Sequence, residues 1–280
     1  MVTHTRPIRM SPKPIVAVDT RLLARRDLKS GYLALTFGPF RRLNKIRPGQ
    51  FVHIALNLGT VFYRRAFSVN ALDAKRKGVE ILIKVIGRGT RGLEALRLGD
   101  QVNILGPLGN AFTIPTRKQT AVLIAGGVGI PPTLFLAETL VESGVDPGRI
   151  VLFYGGRSAE DIVERARIKR LKIRFHPVTE DGSLGQKGLV TSPLKRALSA
   201  GEFENPILYS CGPEPMLAAV DRIAQEFHIP AELALEAPMP CGFGICLGCV
   251  VPLSGGGFAR VCQDGPIFRA GGVDFSQAYN

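Results

Sequence analysis

The stretch QTAVLIAGGVGIPPTLFLAETLVESG, residues 119–144, decides how the chain is organised. It opens on a continuous apolar run, passes through a glycine-rich turn, and continues with apolar residues at helical spacing. A run that is apolar at every position suits a strand covered on both faces, as in a parallel sheet packed between helices. The alternation continues downstream. RIVLFYGG (149–156) and KIRFHPVTE (172–180) read as buried strands, and AEDIVERARIKRL (159–171) reads as a helix. PILYSCGPEPMLAAVDRIAQEFH (206–228) repeats strand, turn and helix. Strands alternating with helices predict a parallel α/β domain, placed over residues 117–229.

Upstream the pattern changes. FVHIAL, FSVNAL, VEILIKVI and QVNILGPL are short β-rich runs, separated by the turn-forming RPGQ, KRKG, RLGD and GPLGN. Short strands at close spacing predict a small antiparallel β-barrel, over residues 12–116. Residues 230–280 are too few for a core of their own, and a bound metal or cluster would supply the missing stabilisation. The expected fold class is α+β and multidomain, with barrel, parallel α/β domain and small C-terminal unit in that order.

Composition narrows the function. The chain has 280 residues, 45% of them hydrophobic, which is enough for two or three domains. The formal net charge is +13, but the basic residues come in ones and twos, as in LARRDL, FRRLNKIR and DAKRKG. Aromatic residues are only 7%. Without a helix-turn-helix or RNA-binding signature, nucleic acid is not expected, and bound anionic cofactors or an acidic partner are. No apolar run has signal-peptide length at the N-terminus, and the longer apolar stretches are broken by Gly and Pro. A cytoplasmic protein with no membrane span is expected.

The sharpest motif is CGFGICLGCVVP (241–252), carrying Cys241, Cys246 and Cys249, followed by Cys262 in RVCQDGPIF. Structural zinc usually takes paired C-x2-C knuckles or mixed Cys/His ligands. Here one C-x2-C follows a wider C-x4-C, and no histidine is near. C-x4-C-x2-C…C is the plant-type [2Fe–2S] spacing; zinc and unliganded thiols are the alternatives. Gly242, Gly244 and Gly248 would let the loop wrap tightly and aim N–H groups at the sulfurs.

Several weaker motifs precede it. YRRAFSVN (63–70) offers Arg65 for a phosphate, Phe67 for a ring system and Ser68 for a ring nitrogen. Alternation puts Arg65 and Phe67 on one face and Ser68 on the other. Gly89 and Thr90 open a predicted helix, whose free N–H groups favour a phosphate. Gly126, Gly127 and Gly129 in AGGVGIPP permit close approach of a dinucleotide, although Pro132 replaces the third glycine of the usual fingerprint. Cys211, Gly212 and Pro213 form a second turn at a strand's C-terminal end, where ligands of open α/β sheets collect. Cys211 reads equally as nicotinamide-pocket lining or as a buried small hydrophobe. After the second α/β strand, Arg157 could meet a 2′-phosphate, and Glu160 or Asp161 a ribose hydroxyl. His4, His53, His176 and His228 are not clustered and read as structural or exposed.

R-x-F-S, then G-G-x-G-x-P, then C-G-P, in this order, resembles the ferredoxin–NADP reductase-like flavoproteins. With the cluster placed C-terminally in EAPMPCGFGICLGCVVP…RVCQDGPIF, the chain resembles the dihydroorotate dehydrogenase B electron-transfer subunits over residues 12 to 270. The resemblance implies an FAD barrel, an NAD-binding domain and a C-terminal [2Fe–2S] domain. It implies FAD contacts from Arg65, Ala66, Phe67, Ser68, Leu82, Ile83, Lys84, Gly89 and Thr90. It implies cluster ligation by Cys241, Cys246, Cys249 and Cys262, with the two α/β turns receiving NAD. The implied path runs from a separate FMN-containing, dihydroorotate-oxidising catalytic subunit through [2Fe–2S] and FAD to NAD, in a heterotetramer with two of each subunit. Hydride transfer needs no side chain as acid or base, so no catalytic residue is expected. Three other readings share some of these motifs. They are the flavin subunit of an NADH-dependent ferredoxin:NADP transhydrogenase or of a cytoplasmic hydrogenase, a stand-alone NAD(P)H reductase, and a zinc-bound or redox regulator of DNA. Phe67 departs from the aliphatic residue or tyrosine of many relatives, and the tail RAGGVDFSQAYN has no assigned role.

Overall fold

The computed structural model describes residues 15–40, 45–56 and 63–276. Residues 12–14, 41–44 and 57–62 of the expected barrel, His4, and residues 277–280 lie outside the described residues.

Six strands build the first unit: β1 (Val16–Asp27), β2 (Tyr32–Gly38), β3 (Phe51–Ala55), β4 (Arg65–Asp73), β5 (Gly78–Lys84) and β6 (Gln101–Leu108). They close in the order β1-β2-β5-β4-β3-β6, and every neighbouring pair is antiparallel. Closure leaves no free sheet edge. Leu22, Phe37, Val52, Ile54, Ile81 and Ile104 fill the interior. Side chains alternate across a strand. With Val52 and Ile54 inside, Phe51 and His53 lie on the outer face, beside their partners Ser68 and Ala66. The short helix α1 (Arg88–Glu94) connects β5 to β6.

The second unit runs β7 (Thr120–Gly126), α2 (Ile130–Glu142), β8 (Ile150–Gly156), α3 (Arg165–Leu171), β9 (Arg174–Thr179), β10 (Gln186–Lys187), α4 (Thr191–Ser199), β11 (Pro206–Cys211) and α5 (Glu214–Glu226). The C-terminal residues add β12 (Ala231–Ala234), β13 (Val250–Pro252), β14 (Phe258–Arg260) and β15 (Ile267–Arg269). The seven-stranded sheet has the order β10-β9-β8-β7-β11-β12-β15. All its pairs are parallel except β12 with β15.

This differs from the expected division. The expected C-terminal unit begins inside the sheet, because β12 pairs with β11 and β15 covers the edge of β12. The reason is burial: all four residues of β12 are buried, and their backbone groups need partners on both sides. The cysteine loop and the β13–β14 hairpin stand outside the sheet. The expected helix over 159–171 is also shorter. It is α-helical only from Arg165, after a left-handed Glu164 at φ +58°.

Barrel and α/β domain are joined by a charged seam. Lys84 Nζ lies 2.7 Å from Asp161 Oδ1, and the Tyr32 hydroxyl donates to the same oxygen at 2.9 Å. Arg26 bridges Glu80 at 3.0 Å and Glu164 at 2.7 Å. Arg167 pairs with Glu138 and donates to the Asn70 carbonyl at 2.8 Å. The seam fixes the C-terminal end of β8 against β5.

Candidate functional site

A cleft of about 240 Å³ opens where all parts of the fold meet. The barrel contributes Phe51, Ala66, Phe67, Ser68, Leu82, Ile83, Lys84 and Thr90. The turn after β7 contributes Val128 and Pro131, and the C-terminal segment contributes Leu235, Glu236, Ala237, Met239 and Pro266. Seven of the nine residues expected around FAD therefore line one wall. The other two, Arg65 and Gly89, are packed together: a Cβ on Gly89 would stand 3.1 Å from Arg65 Nε. The Arg65 guanidinium donates to the Tyr63 carbonyl at 3.0 Å and has no carboxylate partner among the described residues. An unpaired guanidinium beside a glycine on an open cleft fits an anionic group.

Two expected contacts take a different form. The Lys84 ammonium is held by Asp161 and lies over the Tyr32 ring of β2. Thr90 Oγ1 accepts from Ile86 and Gly87 N–H at 3.0 and 3.1 Å, so its hydroxyl caps α1.

The two α/β turns pack on each other. A Cβ on Gly129 would stand 2.5 Å from the Cys211 carbonyl oxygen, and one on Gly212 would stand 3.0 Å from Gly126 Cα. A Cβ on Gly126 would meet Pro213 Cδ at 2.8 Å. These three glycines are required by the contact between turns. Gly127 is different: at φ +52° it has open space where a Cβ would stand, which leaves its backbone accessible to a ligand. The Cys211 thiol is buried among apolar side chains, and burial together with the Glu236 charge pushes its pKa well up. This fits the small-hydrophobe reading. Asp161 is not available to a ribose, because Lys84, Tyr32 and the Arg157 N–H already occupy its oxygens. Arg157 and Glu160 remain exposed beyond β8.

Cys249 and Cys262 meet through the β13–β14 hairpin. Val261 N–H donates to the Cys249 carbonyl at 2.9 Å, which sets Cys249 beside Cys262. Their sulfurs are 3.3 Å apart, too far for a disulfide, and all five cysteines are free. Gly242 and Gly244, at φ +80° and +84°, turn the loop back on itself. Gly248 N–H points at Cys246 Sγ at 3.4 Å. At Cys241 burial raises the thiol pKa, but the N–H groups of Cys246, Phe243 and Ile245 outweigh it and hold the value at about 6. At Cys262 burial and the neighbouring Cys249 thiol push it up to about 12. Among the described residues no three of these thiols stand close enough to share a metal ion as they lie, but backbone donors turned towards the sulfurs of Cys246 and Cys249 suit a metal–sulfur group.

Sequence reasoning missed the opposite wall of the cleft. Glu236, Met239 and Pro266 reach it only through the pairing of β12 and β15. Glu236 is solvent-exposed at the cleft mouth, yet enclosed enough that desolvation raises its carboxyl pKa. His53, read as structural or exposed, is fully buried against the cysteine loop, a position the sequence did not indicate. Burial, then Arg64, push its pKa down to about 4, against an upward pull from the Cys241 backbone and with a smaller downward push from Arg65.

Comparison with known proteins agrees with this layout. Residues 33–112 match an oxidoreductase FAD-binding domain and 123–222 an oxidoreductase NAD-binding domain. Residues 236–274 match the iron–sulfur cluster binding domain of dihydroorotate dehydrogenase B. The dihydroorotate dehydrogenase B (NAD(+)) electron transfer subunit of Enterococcus faecalis is 37% identical over 81% of this chain and 86% of its own length. That of Caldanaerobacter subterraneus is 36% identical over 92% and 98%.

The chain belongs to the dihydroorotate dehydrogenase B electron transfer subunits.

Among solved structures, an NADH-dependent reduced ferredoxin–NADP oxidoreductase superposes with a TM-score of 0.81 at 27% identity, covering 92% of this chain and 90% of that one. A cytochrome P450 reductase from Amycolatopsis shares the fold at 23% identity, with a TM-score of 0.66 over 79% and 68%. As a member of the family, the chain is an oxidoreductase subunit with FAD-binding, NAD-binding and iron–sulfur domains, and the zinc reading of the four thiols falls. No helix among the described residues is long and apolar enough to cross a membrane.

Proposed function

We propose that this chain is the cytoplasmic subunit that carries electrons from a separate FMN-containing, dihydroorotate-oxidising subunit to NAD, in a heterotetramer with two of each subunit. Cys241, Cys246, Cys249 and Cys262 hold a [2Fe–2S] cluster. Arg65 to Ser68, Leu82 to Lys84, Gly89 and Thr90 hold FAD. The turns at Gly126–Gly129 and Cys211–Pro213 receive the nicotinamide dinucleotide. A nicotinamide exchanges hydride, a cluster single electrons, and a flavin both, which is the chemistry these groups supply when bound.

The observation that carries the reading is the shared cleft. One cavity is lined by the barrel's R-x-F-S strand, the turn after β7 and the segment leading into the cysteine loop. This shared lining supports three adjoining redox sites. The protein's own part is positional. Arg65 offers a charged fork, Phe67 and Ile83 supply apolar wall, and the seam at Lys84 and Asp161 sets the distance between domains. Phe243, Ile245, Leu247 and Phe258 stand exposed around the cysteine loop, an apolar rim suited to a protein partner.

Anaerobic co-purification from the native host, followed by reconstitution, tests the reading. The expected partner is an FMN protein, and dihydroorotate-dependent NAD reduction needs both chains. Dihydroorotate oxidation by the isolated chain would sink the proposal. Co-purification with a large iron–sulfur flavoprotein or a hydrogenase subunit would move the same cofactors to another reaction.

A further inference from the structure

His53 is 0% exposed, yet neither of its ring nitrogens completes a hydrogen bond among the described residues. A buried polar group without a partner is costly and calls for an explanation, such as a redox role or a bound group. Its position says what. His53 lies on the outer face of β3, opposite Ala66 of β4 and next along that face from Phe51, and both of these line the cleft. The Phe51 and His53 rings meet edge to face, with centroids 5.9 Å apart. On its far side the ring abuts the cysteine loop. A Cβ on Gly242 would stand 2.5 Å from His53 Nδ1, and Gly242 directly follows Cys241. One imidazole therefore spans the wall between the cleft and the thiol loop. Gly242 has no side chain because that ring occupies its place.

We propose that His53 is a positioning residue for the iron–sulfur site: its ring N–H hydrogen-bonds the Cys241 arm once the cluster is bound, and clamps that arm to the outer face of the barrel. This rests on the cluster reading above. An N–H donor at a cluster favours the more negative, reduced form, so losing it lowers the potential. Outer-shell partners also govern how firmly a metal group is retained.

The experiment uses the full chain with its cofactors, labelled with 15N-histidine, reduced and examined by pulsed electron paramagnetic resonance. A weak histidine-nitrogen coupling to the reduced cluster is expected. The other described histidines are in the α/β domain, His176 stacked on Phe153 and His228 just after α5. His53→Phe keeps ring bulk and removes the donor. It is expected to abolish the coupling, lower the cluster midpoint potential, and speed iron loss to a chelator by about tenfold. FAD content should stay at the wild-type level. His53→Asn, which restores a donor near Nδ1, should recover the potential in part. No histidine coupling in the wild type would overturn the proposal, as would a His53→Phe protein with wild-type potential and iron retention. The wild-type coupling decides the matter if His53→Phe does not fold. Wild-type protein without iron and labile sulfide would instead overturn the cluster reading itself.

Discussion

Gly127 and Gly129 sit two positions apart in one turn, and their surroundings give them opposite roles. A methyl group on Gly129 meets the Cys211 carbonyl at 2.5 Å, where backbone opposes backbone and neither can yield cheaply. Gly129→Ala should cost about 1–3 kcal/mol, the range for overpacking, and should lower the melting temperature with FAD still bound. Gly127→Ala meets no atom, and its left-handed φ costs about 1–2 kcal/mol. Its larger effect should be a several-fold rise in KM for NADH at near-wild-type kcat. Equal effects of the two substitutions on KM would contradict this division. The same logic separates the cysteines. Cys262→Ser should remove most iron from the protein while Cys211→Ala leaves iron untouched, as metal analysis after anaerobic purification will show.

At the scale of elements, the connection from β8 to α3 carries the most information. A longer helix was expected there, since AEDIVERARIKRL has helical composition. Helix propensity is a weak local preference, and here two tertiary ties override it. Asp161 is drawn to Lys84 and Tyr32, and Glu164 to Arg26. Asp161→Asn should lower stability by about 1–3 kcal/mol through its unpaired neighbours. Anaerobic stopped-flow mixing should show slower flavin reduction by NADH at unchanged FAD content. The pH dependence has a definite sign. Burial raises the Asp161 carboxyl pKa, but the hydrogen bonds from Lys84 and Tyr32 prevail and hold it below its ordinary value of 3.8. Its stabilisation is therefore present above pH 3.8 and lost as pH falls through the lower folded value. Melting curves of wild type and Asp161→Asn should converge as the pH is taken from about 5 to 3.

The whole chain carries a formal net charge of +13, and an apolar rim surrounds its cysteine loop. Charge at this scale governs association rate more than affinity. Binding of the catalytic partner should slow as salt rises, while the dissociation rate changes little. Ile245, 75% exposed, is the most open apolar side chain of the rim. Ile245→Glu should weaken assembly by tenfold or more, about 1.4 kcal/mol, and leave NADH-dependent dye reduction by the isolated chain intact. Sedimentation of the mixed subunits reads the first effect, and a steady-state assay the second.

Local order was legible in the chain wherever the determinant is local. The apolar run through β7 and its glycine turn marks a strand buried on both faces, whatever surrounds it. The spacing of Cys241, Cys246, Cys249 and Cys262 names a metal–sulfur group, because ligand geometry constrains neighbouring residues along the chain. β1, β2 and α4 were not read; β1 and β2 form a hairpin with each other, but the outer strands that fix them in the barrel, β6 and β5, are distant in sequence. The far wall of the cleft was equally hidden. Glu236, Met239 and Pro266 reach it because β12 needs a hydrogen-bonded neighbour on each side and takes β11 and β15. His53 reads in the sequence as one polar residue in an apolar strand. Only barrel closure, which sends Val52 and Ile54 inward, turns it outward against Gly242. The sequence by itself determined which groups this protein can bind, since ligand types and spacings are written along the chain. The tertiary structure alone decided how those sites adjoin, because that depends on strand register and on contacts between residues far apart in sequence.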